Sequence, residues 1–400
     1  MLHRRLLLSA AAGSAVLRGL APARAFAGAG AGAGPDAGVT ADRVLFGQMA
    51  ALEGPAAALG RGMRDGIAAA FAEANRAGGV RGRTLDLLSD DDGYEPARSV
   101  EVARRLIERD RVFALVGPVG TPTSEATQPV AAAAGVPFVG AFTGADFLRD
   151  PARGNVVNLR ASYAQEAEAI VARLTEDVGA ARVAVFHQND AFGRAGLDAV
   201  RRALARRGLH LVASGAYERN TTGVRGALTP IRRAVPDAVV MVATYQPCAE
   251  FVRVARLIGM TAAFASLSFV GGDALARELG PAGAGVVVAQ VVPFPHDDAP
   301  PVVRGYRDAL RAMDPDAAPG FVSLEGYLVG RLVAAALERV PGEPTRRAFL
   351  AAFDGAFDLG GVRLAFGPGR NQGADEVFLT AIGADGGVRP VTKLAGPRQG

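Results

Sequence analysis

Four hundred residues, half of them apolar, exceed what one hydrophobic core organises, so two packed domains are expected and a disordered or fibrous chain is excluded. The formal charge is +4, but Arg4, Arg5, Arg18 and Arg24 all fall in the first 27 residues, where no acid occurs; without them 40 basic side chains face 40 acidic ones. A mature chain near neutrality has no concentrated basic surface for phosphate, which excludes nucleic acid as a partner.

Residues 1–27, MLHRRLLLSAAAGSAVLRGLAPARAFA, combine a basic start, a short apolar middle and a small-residue end, the pattern of an export signal with cleavage after Ala25 or Ala27. The adjacent Arg4 and Arg5 raise a twin-arginine route. No later segment approaches a membrane span, and the single Cys248 provides neither a disulfide nor a lipid-attachment site. A soluble, monomeric periplasmic protein is expected. Residues 28–38 read as a flexible glycine-rich leader; no strand precedes these glycines, so they are not a dinucleotide fingerprint.

Ordered structure is expected from a strand at 44–49, a helix at about 62–76 and a strand at 84–88. The acidic run SDDDGYEP has no calcium-loop spacing and reads as a solvated turn before a helix over 96–108. A strand at 112–116 then ends in Gly117–Thr121 and a helix, and a second strand at 136–139 ends in Gly140–Gly144. Two small, hydroxyl-bearing edges at the carboxyl ends of parallel strands form the place where open α/β sheets bind anions. After 155–160 the alternation restarts: strands at 182–186, 209–216, 238–243 and 264–269 separated by helices, with 285–295 as a strand and crossover, helices at 302–313, 322–339 and 345–353, and a strand at 377–382.

In this order, GPAAALGRGMRDGIAAAFAEANRAGGVRGRTLDLLSDDDGYEPARSVEVARRLI, GPVGTPTSEATQP, VAVFHQNDAFGRAGL and VVMVATYQPCAEFVRVARLIGM resemble the leucine/isoleucine/valine-binding group of periplasmic binding proteins of ABC importers, over 39–391. The resemblance implies an α/β fold of two doubly wound parallel-sheet lobes joined by three crossover segments. The first lobe would comprise 39–160 and 289–340 and the second 161–288 and 341–392, followed by a tail at 393–400. It implies capture of a small carboxylate-bearing ligand, a branched-chain or other hydrophobic amino acid, for delivery to importer permease subunits. The alternatives are a sensing module of the same fold and a binder of an aromatic or aliphatic carboxylate without an ammonium.

The matched positions put the ligand's carboxylate at Gly120, Thr121, Ala141, Phe142, Thr143 and Gly144, with Phe192 and Tyr245 as aromatic covers and Tyr163 at the lobe entrance. Leu59 stands where the family has an aromatic residue, and Ser268 where it has the acid that receives an ammonium. Either Glu53, Asp190, Glu250 or Asp273 substitutes, or the ligand carries no ammonium. No catalytic constellation is legible. His3, His187, His210 and His296 are scattered, no GxSxG occurs, Lys393 is the only lysine, and Cys248 has no neighbouring histidine. No enzyme activity, metal or cofactor is expected. Glu325, inside the apolar run FVSLEGYLVG, reads as a helix-to-lobe hydrogen-bonding residue.

Overall fold

The computed structural model describes residues 36–394, so the export signal, most of the leader and the end of the tail lie outside the described residues. Among the described residues no helix is long and apolar enough to cross a membrane. The first sheet is parallel, in the order β2 (Thr84–Asp91), β1 (Arg43–Ala50), β3 (Ala114–Val116), β4 (Phe138–Val139), β5 (Val156–Val157). Its strands are linked by α1 (Ala57–Arg76), α2 (Pro96–Arg104), which runs on as one π-helical turn over Arg105–Arg109, and α3 (Thr121–Ala133).

The second sheet is built from β6 (Val183–Gln188), β7 (Leu211–Tyr217), β8 (Ala238–Val242), β9 (Ala263–Ser266) and β10 (Val287–Gln290), all parallel, with α4 (Tyr163–Glu176), α5 (Ala191–Ala205), α6 (Arg225–Arg233), α7 (Tyr245–Leu257) and α8 (Gly272–Leu279) among them. Two antiparallel strands, β13 (Phe378–Ile382) and β14 (Val388–Pro390), extend its β10 edge. The chain between β10 and β13 forms α9 (Pro301–Met313), α10 (Phe321–Glu338), α11 (Arg346–Ala351) and the hairpin β11 (Gly355–Asp358) and β12 (Arg363–Phe366). The central strands are buried on both faces, as their near-continuous Val, Ala, Phe and Leu content requires.

Two expected boundaries move. β10 belongs wholly to the second sheet, so the crossover expected from residue 289 starts after Gln290. The segment from 341, expected in the second lobe, first packs on the first. Phe349 meets Phe113 at 5.3 Å, and Arg346 donates to the Val112 and Phe113 carbonyls at 2.8 and 2.9 Å. The return crossing comes only after β12, where Asn158 N–H donates to the Asn371 carbonyl at 2.7 Å and Gly373 N–H to the Asn158 carbonyl at 2.8 Å. The first and third crossovers thus run side by side as a short parallel ribbon. The acidic run is not a solvated turn: Ser89–Asp91 complete β2, and Asp92 is buried, accepting from Tyr94 N–H (2.9 Å) and the Ser99 hydroxyl (2.7 Å).

α1 begins five residues earlier than its apolar spacing indicates, because glycines let it lie directly on other backbone. A Cβ on Gly66 would stand 1.9 Å from the Ser323 carbonyl oxygen of α10, and one on Gly326 would stand 2.4 Å from the Met63 oxygen. Helix propensity alone favours Gly66→Ala by about 1 kcal/mol. The contact reverses the sign: loss of about 1–3 kcal/mol or more is expected, read as a lower denaturant midpoint at unchanged slope.

Candidate functional site

The carboxyl ends of β3 and β4 bring three hydroxyls together. Thr121 Oγ1, on the first residue of α3, lies 2.7 Å from Thr143 Oγ1, and Tyr163 Oη is 3.4 Å from both. All three residues are buried. The Thr121 hydroxyl does not cap its helix; the N-cap is Gly120 and no side-chain cap bond forms there. Gly120 is required at its position, since φ is +108° and a Cβ would meet the Tyr94 ring at 2.4 Å. Ala141 forms the tight turn that presents Thr143, its carbonyl accepting Thr143 N–H at 2.8 Å, and Gly144 leaves room for the Tyr163 ring. Burial holds the Tyr163 phenol above its ordinary pKa despite the Arg160 guanidinium nearby, so it is a neutral donor.

Aromatic rings from both lobes close over this edge. Phe269, in the 3-10 turn Ser268–Val270, is the centre: its ring lies 4.6 Å from Phe192, 5.2 Å from Phe142 and 5.9 Å from Tyr94. Phe192 also meets Tyr163 at 5.5 Å. Phe192 sits in the first turn of α5, whose start is fixed by Asp190 accepting from Phe192 N–H at 2.9 Å. Tyr245, expected at a strand end open to the cleft, is instead the buried first residue of α7, within 3.5 Å of Ala58 N–H in the first lobe. Leu59 is buried beside Gly271, where a Cβ would lie 2.5 Å from Leu59 Cδ2, and so joins the lobes at their edge.

Ser268 explains the missing acid. Glu166 on α4 stands against it, Oε2 accepting Ser268 N–H at 2.7 Å and Oε1 accepting its hydroxyl at 3.0 Å. None of the four acids named as substitutes makes this contact. Glu53 is exposed, Glu250 lies half-buried on α7, Asp273 accepts Phe321 N–H at 2.7 Å, and Asp190 is the α5 cap. Glu166 also binds Arg160, at 2.9 Å, and Glu325 approaches the same guanidinium at 3.5 Å. Arg160 additionally donates to the Ser268 hydroxyl and lies over the Phe142 ring at 5.0 Å. Burial alone would push its pKa down; Glu325 and Glu166 hold it above its ordinary value. Arg149 braces the same corner, donating to the Thr143, Ala145 and Arg160 carbonyls at 3.2, 2.9 and 3.2 Å.

Arg160, Glu166, Arg149, Tyr94 and Phe269 were not identified from the sequence. Glu325, a charge in an apolar helix, was the visible signal; its partner lies 165 residues away. At the far edge, Gln188 donates to Tyr94 Oη at 3.1 Å, and Arg219 bridges Asp190 (3.1 Å) and Glu95 (2.7 Å) across the lobes. A cavity of about 230 Å³ opens beside Thr121 and Tyr163, rimmed by Glu125, Asp146, Arg194 and Arg202. Cys248 is buried, and burial pushes its thiol up, not down as a helix start would.

Two α/β lobes joined by three crossovers, with donors and aromatics facing across the cleft, define a two-lobed ligand-binding protein. The profile of the family described as "Periplasmic binding protein" matches residues 44–387. A crystal structure of a "possible leucine/isoleucine/valine-binding protein" from Rhodopirellula baltica is 42% identical, covering 88% of this chain and 97% of that one with a TM-score of 0.84. A substrate-binding periplasmic protein from Ralstonia solanacearum is 31% identical, covering 87% and 100%, with a TM-score of 0.81. An "Amino acid binding protein" of Pseudomonas aeruginosa is 28% identical over 54% of this chain and 58% of its own length; the chain thus spans less than two thirds of that curated relative. The chain belongs to the periplasmic binding protein family, in its leucine/isoleucine/valine-binding branch. That family binds small molecules and is not a family of enzymes.

Burial raises the Glu325 carboxyl to about 7, Arg160 opposing. The unfolded chain releases this proton near the ordinary Glu value and the folded chain holds it until about 7, so stability falls as pH rises between the two and levels off above. Asp92, raised to about 6 by burial, adds to the slope in the lower part of that window. Melting temperature should therefore drop from pH 5 to pH 7.5, and Glu325→Gln should flatten the drop by up to about 1.4 kcal/mol per pH unit. An unchanged slope in the variant would remove Glu325 from this role.

Proposed function

We propose that this chain captures a small carboxylate-bearing ligand between its lobes, a hydrophobic amino acid or a plain aliphatic or aromatic acid, and delivers it to the permease subunits of an ABC importer. In this reading residues 1–27 direct export and the mature monomer works in the periplasm. The observation that carries it is the buried trio of Thr121, Thr143 and Tyr163 hydroxyls at the amino end of α3. Neutral donors held at a helix start favour an oxyanion, at about 1.5–3 kcal/mol for a charge-assisted bond. The cavity beside the trio draws its apolar lining from Ala145, Phe147, Ala191 and Ala195, which would face the rest of the ligand. The 230 Å³ cavity beside the trio suits a ligand smaller than the drug-sized occupants of ~300–1,000 Å³ sites. The names of the relatives, which refer to leucine, isoleucine and valine, support a hydrophobic side chain.

Thermal shift against hydrophobic acids and their matching carboxamides tests this. Acids at about 100 times their Kd should stabilise the protein by about 2.7 kcal/mol, with little or no shift from the amides. Equal shifts from acid and amide would refute carboxylate recognition. Thr121→Val keeps the β-branched shape and removes the hydroxyl. It should weaken every accepted acid by about 10- to 100-fold in calorimetric titration; unchanged affinity would take Thr121 out of the site.

A further inference from the structure

We infer that the site selects carboxylates carrying no α-ammonium group, because the chain's own donors already occupy the acids that would receive one. The inference rests on carboxylate capture as set out above and names its ligand class. Four carboxylates are buried among the described residues: Asp92, Glu166, Asp190 and Glu325. Asp92 is taken by Tyr94 N–H and Ser99, and Asp190 by Arg219, Gln188 and the Phe192 and Gly193 N–H groups. Glu166 receives Arg160 and both donors of Ser268, while Glu325 faces the same Arg160.

The Arg160 guanidinium therefore sits where a ligand's cation would have to go. An ammonium placed here would displace a guanidinium or stay unpaired, and an uncompensated buried charge is strongly disfavoured. The acids at the cavity rim do not offer an alternative. Asp146 is paired with Arg202 at 2.7 Å, Glu125 is half-exposed beside Arg194 at 3.9 Å, and Asp198 is half-exposed beside Arg201 at 3.5 Å, so none is a buried, unpaired carboxylate. Arg160 Nε is itself buried without a partner, a donor that can serve an anion but not a cation.

Calorimetric titration of the wild-type protein with matched pairs decides the matter: 4-methylpentanoate against leucine, and 3-phenylpropanoate against phenylalanine. Each pair differs only in the α-ammonium. The plain acid of an accepted pair should bind about tenfold or more tighter. Amino acids binding as tightly or more tightly would overturn the inference and leave carboxylate capture standing. Binding of neither member of either pair would overturn both. Arg160→Gln frees Glu166 and should move the preference toward the amino acid by about tenfold; an unmoved preference in a variant with wild-type circular dichroism would remove Arg160 as its cause. If that variant does not fold, the wild-type pairs still give the answer.

Discussion

A guanidinium hidden from water is tolerated only where carboxylates meet it, and at Arg160 they come from two different helices. Glu166 is on α4 in the second lobe and Glu325 on α10 against the first, while Arg160 itself follows directly on the first crossover. Three parts of the fold are thereby held at one point. Such a pair contributes little net stability against an apolar substitute, but loss of one partner strands a charge at a cost of about 3–5 kcal/mol. What the arrangement secures is geometry. Arg149, spanning the Thr143 loop and the Arg160 carbonyl, carries that geometry to the hydroxyl trio.

Closure of the cleft has an uneven energetic basis. The ion pair between Arg202 and Asp146 bridges the lobes with both side chains half-exposed, and pairs of that kind contribute about 0–1 kcal/mol. The Phe269 ring instead makes three buried aromatic contacts, to Phe192, Phe142 and Tyr94, each worth about 0.5–1.5 kcal/mol beyond area burial. Apolar contact therefore dominates the closed arrangement, and the rim charges set its orientation. The bridge from Arg219 to Glu95 and Asp190 lies between these extremes, being less exposed than the rim pair.

The crossovers define where the lobes can turn. The first and third are hydrogen-bonded to one another through Asn158, Asn371 and Gly373, so they behave as one ribbon. The aromatic contacts and the Tyr94–Gln188 hydrogen bond join the lobes outside both sheets. The buried Arg160 centre follows the ribbon in the chain, two residues after Asn158.

Strand-and-helix alternation, the order of the lobes and the small hydroxyl-bearing edge at 117–121 and 140–144 were legible in the sequence, because each depends on local periodicity and turn chemistry. Within that edge, Thr121 and Thr143 are singled out by the resemblance to the family. The start of α1 was not legible, since its glycines matter only where they meet other backbone, Ala51 at Gly60 and α10 at Gly66. The switch of residues 341–353 to the first lobe was equally hidden, as it turns on Arg346 and Phe349 finding partners more than 200 residues earlier. Ser268 announced that an acid was absent, and Glu325 that a charge was out of place; neither named Glu166 or Arg160. Glu166 meets Ser268 across 102 residues and Arg160 meets Glu325 across 165, separations that no local pattern spans. Local pattern thus determined which edge could hold an anion, and only the tertiary structure decided that Arg160 stands buried against Glu166 and Glu325 beside it.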